Sequence, residues 1–212
     1  MESPVPAADT TEITDKRLLR GSRTRKVVLG RAVDIASLDS LEGLSFGRLA
    51  TDTGLSKAGI QTLFRTKEAL QLATIDYFRT VFIDTVTRPA RAKPRGAERL
   101  RALIELWIDY AAGPCFEGGC FQSANLAEFD SRPGPVRDAL VANQQDWLDL
   151  LAGELSYARD HGEIATLDAD LAAFQIDAVL AAANTALRLG DDSAVSKVRR
   201  TVEGFLTNPD QR

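Results

Sequence analysis

The chain is poor in the side chains that carry most catalytic and metal chemistry. Its 212 residues include one histidine and two cysteines. A tetrahedral zinc site needs more cysteine or histidine ligands than this set provides. The single histidine, His161, stands before Gly162 at a predicted helix end, so no Ser-His-Asp or Cys-His arrangement is supported. We therefore expect neither an enzyme nor a protein with a metal or cofactor site.

Long apolar runs and phosphate-binding loops are also absent. No run approaches the roughly 18 apolar residues of a transmembrane helix. The first residues, MESPVPAADTTEITDK, are polar and acidic and lack the apolar segment of a signal peptide. Neither a G-x-x-x-x-G-K-S/T loop nor a G-x-G-x-x-G loop after a strand occurs. These absences predict a cytoplasmic protein with no membrane partner.

Charge is distributed unevenly along the chain. The net charge is −4, which alone argues against a nucleic-acid partner. Residues 1–15 hold four acids and no bases, whereas residues 16–70 hold eleven Lys and Arg against five acids. The remaining residues, 71–212, hold 15 bases against 21 acids. A basic N-terminal segment on an acidic remainder is typical of a DNA-binding module joined to a second module.

Apolar residues recur with helical spacing along most of the chain, and no alternating strand pattern of any length occurs. In residues 24–39, for example, Val28, Ala32, Ile35 and Ala36 lie on one face. The pattern predicts an all-α protein of about nine helices. The predicted helices are 24–39, 46–53, 57–63, 66–88, 96–112, 119–130, 134–161, 169–189 and 193–207, with Pro89 and the RAKPRG segment ending the fourth.

Residues 45–70, SFGRLATDTGLSKAGIQTLFRTKEAL, have the spacing of a helix-turn-helix. Ala50 is small enough for a second helix to cross closely, and Gly54 can adopt the positive φ of the turn. Ile60 and Phe64 fall on one face and can fill a shared core. The opposite face carries Lys57, Ala58, Gln61, Thr62 and Arg65. Small, polar and basic side chains suit a helix that enters a major groove, although an ordinary helical hairpin fits the same pattern.

Residues 24–72 resemble the N-terminal domain of the tetracycline repressor (TetR) family of one-component regulators. The similar stretches are TRKVVLGRAVDIA, SFGRLATDTGLSKAGI and LFRTKEALQLAT. The resemblance implies an N-terminal three-helix DNA-binding domain and a C-terminal helical domain for ligand binding and dimerisation. One departure is that the family usually has an aromatic residue and often a histidine where this chain has Gln61, Thr62 and Leu63. The DNA-binding mode therefore carries over, but the base preferences do not.

The resemblance divides the chain into three parts and assigns DNA contacts. Residues 1–22 are predicted to be a disordered arm, residues 23–70 the DNA-binding domain, and residues 71–212 the ligand-binding and dimerisation domain. The dimer is expected to read a palindromic operator. Base-edge candidates are Lys57, Gln61 and Thr62, and phosphate candidates are Ser45, Ser56, Arg65 and Lys67. The basic residues of the arm either remain solvated or follow the DNA backbone.

The resemblance also implies a small-molecule effector that releases a repressor from DNA. Aromatic residues of the C-terminal helices suggest a hydrophobic or aromatic effector. The candidate ligand-binding residues are Trp107, Tyr110, Phe121, Asn125, Phe129, Gln144, Trp147 and Leu151, with Asn125, Gln144 and Asn184 as possible polar anchors. The resemblance further implies that helices 169–189 and 193–207 form the homodimer interface. The first of them carries many alanines, and the second is amphipathic.

Three alternatives stay open. The first is a redox-responsive regulator that uses Cys115 and Cys120, although buried packing is the expected role of these thiols. The second is a DNA-binding protein that needs no ligand. The third is an activator, since the family contains activators as well as repressors.

Overall fold

The computed structural model describes residues 10–207, and every regular element in that range is helical. The nine principal helices are α1 (Thr10–Asp39), α2 (Phe46–Thr53), α3 (Lys57–Phe64), α4 (Lys67–Phe82), α5 (Ala97–Ala112), α6 (Phe121–Phe129), α7 (Pro135–Asp160), α8 (Ala169–Arg188) and α9 (Ser193–Leu206). A short 3-10 turn, Leu41–Gly43, follows α1. The predicted all-α fold is confirmed, and within this range no helix is both long and apolar enough to cross a membrane.

Helix α1 begins well before the predicted position. The sequence interpretation placed residues 1–22 in a disordered arm, but α1 already begins at Thr10. The prediction gave too much weight to the Pro, Ser and Thr content of the first residues. The segment that follows, residues 16–20, reads KRLLR, and Leu, Lys and Arg favour helix. Residues 1–9 lie outside the described part of the chain.

Helix α4 does not end at Pro89, contrary to the prediction. It continues through a π-helical turn, Ile83–Thr87, into a last helical turn, Arg88–Ala90. The amide of Arg88 donates to the carbonyl of Ile83, five residues back. Because proline has no amide hydrogen and crowds the preceding turn, a widened turn before it lets the helix proceed.

The N-terminal helices enclose a small core. Val28, Ala32, Ile35 and Ala36 of α1 are fully buried, as their spacing predicted. Helix α1 packs against α2 and α4, and α3 packs against those same two helices; α4 leads into the rest of the molecule.

The C-terminal helices form a second layer around α8, which packs between α7 and α9. Two carboxylates from elsewhere in the chain hold the first turn of α5. The buried Glu154 accepts from the amide of Gly96 at 2.8 Å, and Glu163 accepts from the amide of Ala97 at 2.8 Å. A helix N-terminus favours negative charge, so these contacts fix where α5 begins.

Candidate functional site

Serine side chains cap the N-termini of both helices of the helix-turn-helix. Ser45 precedes α2 and accepts from the amide of Arg48 at 3.1 Å, and Ser56 precedes α3 and accepts from the amide of Gly59 at 3.1 Å. Gly54 adopts φ 69°, the left-handed conformation that the turn requires. These local bonds set the angle at which α3 leaves α2, as the sequence predicted.

Helix α3 has one buried face and one free face. Ile60 is fully buried and Phe64 is 3% exposed, so both lie in the core of the N-terminal helices. Lys57, Gln61 and Thr62 are exposed on the other side. The hydroxyl of Thr62 donates to the carbonyl of Ala58 in the preceding turn at 2.8 Å, which leaves its methyl group and oxygen lone pairs to face outward.

The end of α3 is tightly turned at Arg65. This residue has φ 62° and ψ −55°, and the amide of Thr66 donates to the carbonyl of Phe64 at 2.7 Å. This is a γ-turn with a positive φ at a non-glycine residue, a strained arrangement. From α1, the Arg25 guanidinium lies 4.5 Å from the centre of the Phe64 ring and donates to the carbonyl of Leu63 at 3.3 Å. The turn presents the exposed Arg65 side chain beside the free face of α3.

Lys67, another predicted phosphate contact, is already engaged within the chain. Its Nζ donates to the Glu42 carbonyl at 2.7 Å and to the Glu42 carboxylate at 2.8 Å. The hydrogen bond from Lys67 is the main reason why the pKa of Glu42 lies below its ordinary value. Both side chains are about half exposed, 42% and 50%, so solvent and other anions reach the pair.

A cavity of about 510 Å³ lies among α4, α5, α6, α7 and α8. Its volume falls within the range of small-molecule sites. The π-helical turn of α4 forms part of its wall through Ile83 and Thr87. Its apolar lining consists of Phe78, Phe82, Ile83, Trp107, Trp147, Leu150, Leu180 and Ala181.

One acidic side chain lies in the inner wall of this cavity. The carboxylate of Asp177 on α8 accepts from Nε2 of Gln144 on α7 at 2.6 Å. Burial raises the pKa of Asp177, and hydrogen bonds from Gln144 and Trp147 oppose that shift. An aspartate on a helix otherwise rich in Ala, Leu and Ile is therefore kept in a largely apolar site.

Two further polar atoms of the lining have no hydrogen-bond partner. They are Oε1 of Gln122 and Nδ2 of Asn143, and both atoms are buried. The orientation of the Gln122 amide is fixed, because its Nε2 donates to the carbonyl of Leu140 at 2.7 Å. Its oxygen is thus an acceptor without a donor.

The remaining charges of the lining belong to exposed side chains. Arg79 pairs with Asp146 at 2.5 Å, and Arg91 and Asp149 are also exposed. Charged groups therefore surround the cavity on its solvent side, while Asp177 lies deeper.

The structure places the predicted ligand-binding residues in three different surroundings. Trp107, Gln144 and Trp147 line the cavity. Tyr110, Phe121 and Leu151 are buried in the core beside it, where the Tyr110 hydroxyl accepts from the amide of Phe121 at 3.1 Å. Phe129 lines a separate recess of about 270 Å³ with α7 residues. Sequence reasoning missed Asp177 and Gln122; an acid within the apolar run of α8 was the available signal for Asp177.

The other predicted polar anchors bind backbone and not the cavity. The fully buried Asn125 accepts from the amide of Leu41 at 2.6 Å and donates to the carbonyls of Ala36 at 3.1 Å and Phe121 at 2.7 Å. Asn184 accepts from the amide of Cys120 at 2.8 Å. Asn125 thus joins α6 to the end of α1, which connects the cavity region to the N-terminal helices.

The loop before α6 makes a second, very close contact with α1. The amide of Gly118 donates to the Ser37 hydroxyl at 2.8 Å. A Cβ atom on Gly118 would lie 2.0 Å from the Ser37 carbonyl oxygen, so only glycine fits there. Beside it, Arg31 of α1 binds Glu117 at 2.8 Å and Asp52 of α2 at 2.9 Å.

The two cysteines are free thiols, one partly and one fully buried. Burial is the main cause that raises the pKa of Cys115 and of Cys120 above the ordinary value. A raised thiol pKa lowers the thiolate fraction and hence the reactivity towards oxidants. Cys120 forms part of the cavity wall. His161 ends α7 with Nδ1 2.8 Å from the Tyr157 carbonyl, so its predicted position at a helix end is confirmed.

The C-terminal helices that enclose the cavity match a known family. Residues 96–202 fit the family described as Tetracyclin repressor-like, C-terminal domain. The chain belongs to the tetracycline repressor-like family. No curated protein sequence matches it.

Solved structures of TetR-family regulators share the fold over nearly the whole chain. A TetR transcriptional regulator from Chloroflexus aurantiacus superposes with a TM-score of 0.78 at 23% identity, covering 91% of this chain and 97% of that one. SCO4454, a TetR-family transcriptional regulator from Streptomyces coelicolor, gives 0.75 at 23% identity, covering 88% and 95%. AibR, in complex with isovaleryl coenzyme A and operator DNA, gives 0.68 at 20% identity, covering 86% and 97%. At these identities the likeness establishes the fold.

Proposed function

We propose that this TetR-family protein is a DNA-binding transcriptional repressor that acts as a homodimer and is released from a palindromic operator by a small hydrophobic or aromatic effector. The observation that carries the proposal is the free polar face of α3, held in a fully capped helix-turn-helix and connected through buried contacts to a ligand-sized cavity. Residues 23–70 form the DNA-binding domain and residues 71–212 the effector and dimerisation domain.

DNA recognition is assigned to the exposed face of α3. Lys57, Gln61 and Thr62 contact base edges in the major groove, and the Gln61 amide can pair with adenine in a bidentate manner. Ser45, Ser56, Arg65 and Lys67 contact phosphates. The two serines lie at helix N-termini, which favour anions. A phosphate at Lys67 must replace Glu42, so DNA binding there exchanges one anionic partner for another.

The dimer is assigned to α8 and α9. Two large apolar side chains of α8 are exposed, Leu171 at 53% and Phe174 at 63%, and Leu189, directly after the helix, is 82% exposed. Alanines 178 and 182 lie between them and are exposed as well. An apolar stripe of this length suits burial against a second copy. To read a palindromic operator, such a dimer must hold its two α3 helices about 34–36 Å apart, one helical turn of DNA.

Effector control is assigned to α6 together with α4. The start of α6 forms one wall of the cavity through Cys120, Gln122 and Ser123, and its Asn125 binds the end of α1. Phe78 of α4 lines the cavity and stacks on Phe121 with ring centres 4.5 Å apart. An effector that favours a different position of these helices shifts the population towards a dimer whose α3 helices do not fit the operator.

The redox alternative receives less support from this geometry. Cys115 is half-buried and Cys120 is buried, and the raised pKa of each thiol opposes fast oxidation. Cys120 also has a packing role in the cavity wall. Loss of operator binding after peroxide treatment that disappears in Cys120→Ser would instead support a redox-responsive regulator.

The phosphate assignment is tested by the salt dependence of binding to random-sequence duplex DNA. Lys67→Ala should weaken binding and reduce the slope of log K against log salt by about 1. The matched control is Lys93→Ala, which removes the same charge from an exposed loop far along the chain. Equal slopes for wild type and Lys67→Ala would contradict the assignment.

Repression itself is tested by a reporter of a target gene, whose expression should rise when the regulator gene is deleted; a fall would indicate activation.

A further inference from the structure

The carboxylate of Asp177 is the acidic group in the inner wall of the cavity. Its Oδ2 accepts from Nε2 of Gln144, and it has a second oxygen, Oδ1. Charged groups in a poorly hydrated site are normally paired and hydrogen-bonded, so a carboxylate with spare acceptor capacity in a cavity indicates where a ligand binds.

No basic side chain neutralises Asp177. Among the described residues its carboxylate accepts from Gln144 and has no cationic partner. The two arginines of the lining are exposed, and Arg79 is paired with Asp146. Burying an unpaired carboxylate costs free energy. A positive charge brought by a ligand would recover that cost.

The aromatic walls suit a cation as well. Phe82 and Trp147 meet edge to face with ring centres 5.4 Å apart, and Trp107 lines the same cavity. Aromatic faces attract cations, most strongly where the site is shielded from water, and they also bind the apolar part of a ligand.

We propose that the effector is an apolar or aromatic amine whose protonated nitrogen donates to the Asp177 carboxylate. The hydrocarbon part of the amine packs on Phe82, Trp107 and Trp147. Ligands that carry a carboxylate in the same position are repelled. This inference rests on the proposed function, since it names the chemical class of the effector for that cavity.

The test uses the full-length protein and two sets of matched compounds. The first set is tryptamine, tryptophol and indolepropionate, and the second is phenethylamine, phenethyl alcohol and phenylpropionate. Each set keeps the ring and varies the charge of the side chain. Binding is measured by calorimetry and by thermal shift, up to millimolar concentration. At least one amine should bind about tenfold or more tightly than its alcohol and its carboxylate, because a charge-assisted hydrogen bond forms only with the amine.

Variants identify the responsible group. Asp177→Asn keeps the shape but removes the charge, so the preference for the amine should disappear. Asp177→Glu keeps the charge and should retain a preference. The control Asp76→Asn removes an exposed carboxylate of α4 that does not line the cavity, and it should leave the preference unchanged. The proposal is overturned if no amine of either set outcompetes its isosteres, or if Asp177→Asn keeps the amine preference.

Operator release, measured in parallel by fluorescence anisotropy, separates this inference from the proposed function. Release by a carboxylate or alcohol with no preference for amines would overturn the amine inference and support effector control. Preferential amine binding without any release would support the charge recognition and contradict effector control.

Discussion

Gly118→Ala is the substitution that most directly tests the connection between the cavity region and the N-terminal helices. The added methyl group would lie 2.0 Å from the carbonyl oxygen of Ser37, 2.1 Å from its carbonyl carbon and 2.7 Å from the amide nitrogen of Leu38. All three are backbone atoms of α1, so no side-chain rotation relieves the contact.

The magnitude follows from the displacement required. Ordinary contact begins at 3.4 Å, so the loop and α1 must separate by roughly 1.4 Å in a densely packed region. This movement also breaks the hydrogen bond from the Gly118 amide to Ser37. Overpacking of this kind costs about 1–3 kcal/mol. For a chain of this size, at about 2–4 °C per kcal/mol, the melting temperature should fall by roughly 2–12 °C.

The assay combines thermal unfolding with operator binding by fluorescence anisotropy. Because the displaced loop no longer fixes α1 relative to α6, operator affinity should fall by at least about fivefold. The control is Gly153→Ala inside α7, where a Cβ meets nothing within 4 Å. That change should raise stability by about 0.5–1 kcal/mol and leave operator affinity unchanged. Wild-type melting temperature and affinity in Gly118→Ala would refute the close contact.

Three further substitutions test separate parts of the account. Asp177→Asn should raise the melting temperature at pH 7, because burial raises the pKa of Asp177 and the charged carboxylate therefore destabilises the folded state. The gain should shrink as pH falls and the carboxylate becomes protonated in the folded state. A gain that grows on acidification would contradict this reasoning. Arg65→Gly should relieve the backbone strain of the γ-turn and stabilise the folded chain by about 1 kcal/mol, while loss of the basic side chain weakens DNA binding. Destabilisation in thermal unfolding would show that the turn is not strained. Phe174→Glu should give a folded monomer with weakened operator binding, and a dimer of wild-type mass in light scattering would place the interface elsewhere.

Local signals in the sequence were sufficient for the helix-turn-helix. Ser45, Gly54 and Ser56 act within a few residues of themselves, so their caps and turn can be predicted from neighbours alone. The helix bounds near them differ from prediction by a residue at most. The start of α1 and the passage of α4 through Pro89 were predicted wrongly, because a composition bias and a single proline were treated as stronger than helix propensity and a π-helical turn.

The candidate cavity was harder to predict because its members meet only in three dimensions. Trp107 and Trp147 were found as aromatic residues of the correct helices. Asn125 was expected to face a ligand, but it satisfies backbone groups of α1 and of the turn after it, and nothing in its local sequence distinguishes the two roles. Asp177 was overlooked since its significance depends on Gln144, Trp147 and the apolar surroundings contributed by other helices.

Selection of bound duplexes from a random-sequence DNA pool by the purified protein tests the central claim most directly. A homodimer that reads DNA through α3 should enrich a two-fold symmetric motif with half-sites about one helical turn apart. The same selection with Gln61→Ala should keep that spacing but change the half-site sequence, since Gln61 is an exposed base-edge candidate. Enrichment of no symmetric motif, or of an identical motif by both proteins, would contradict the account.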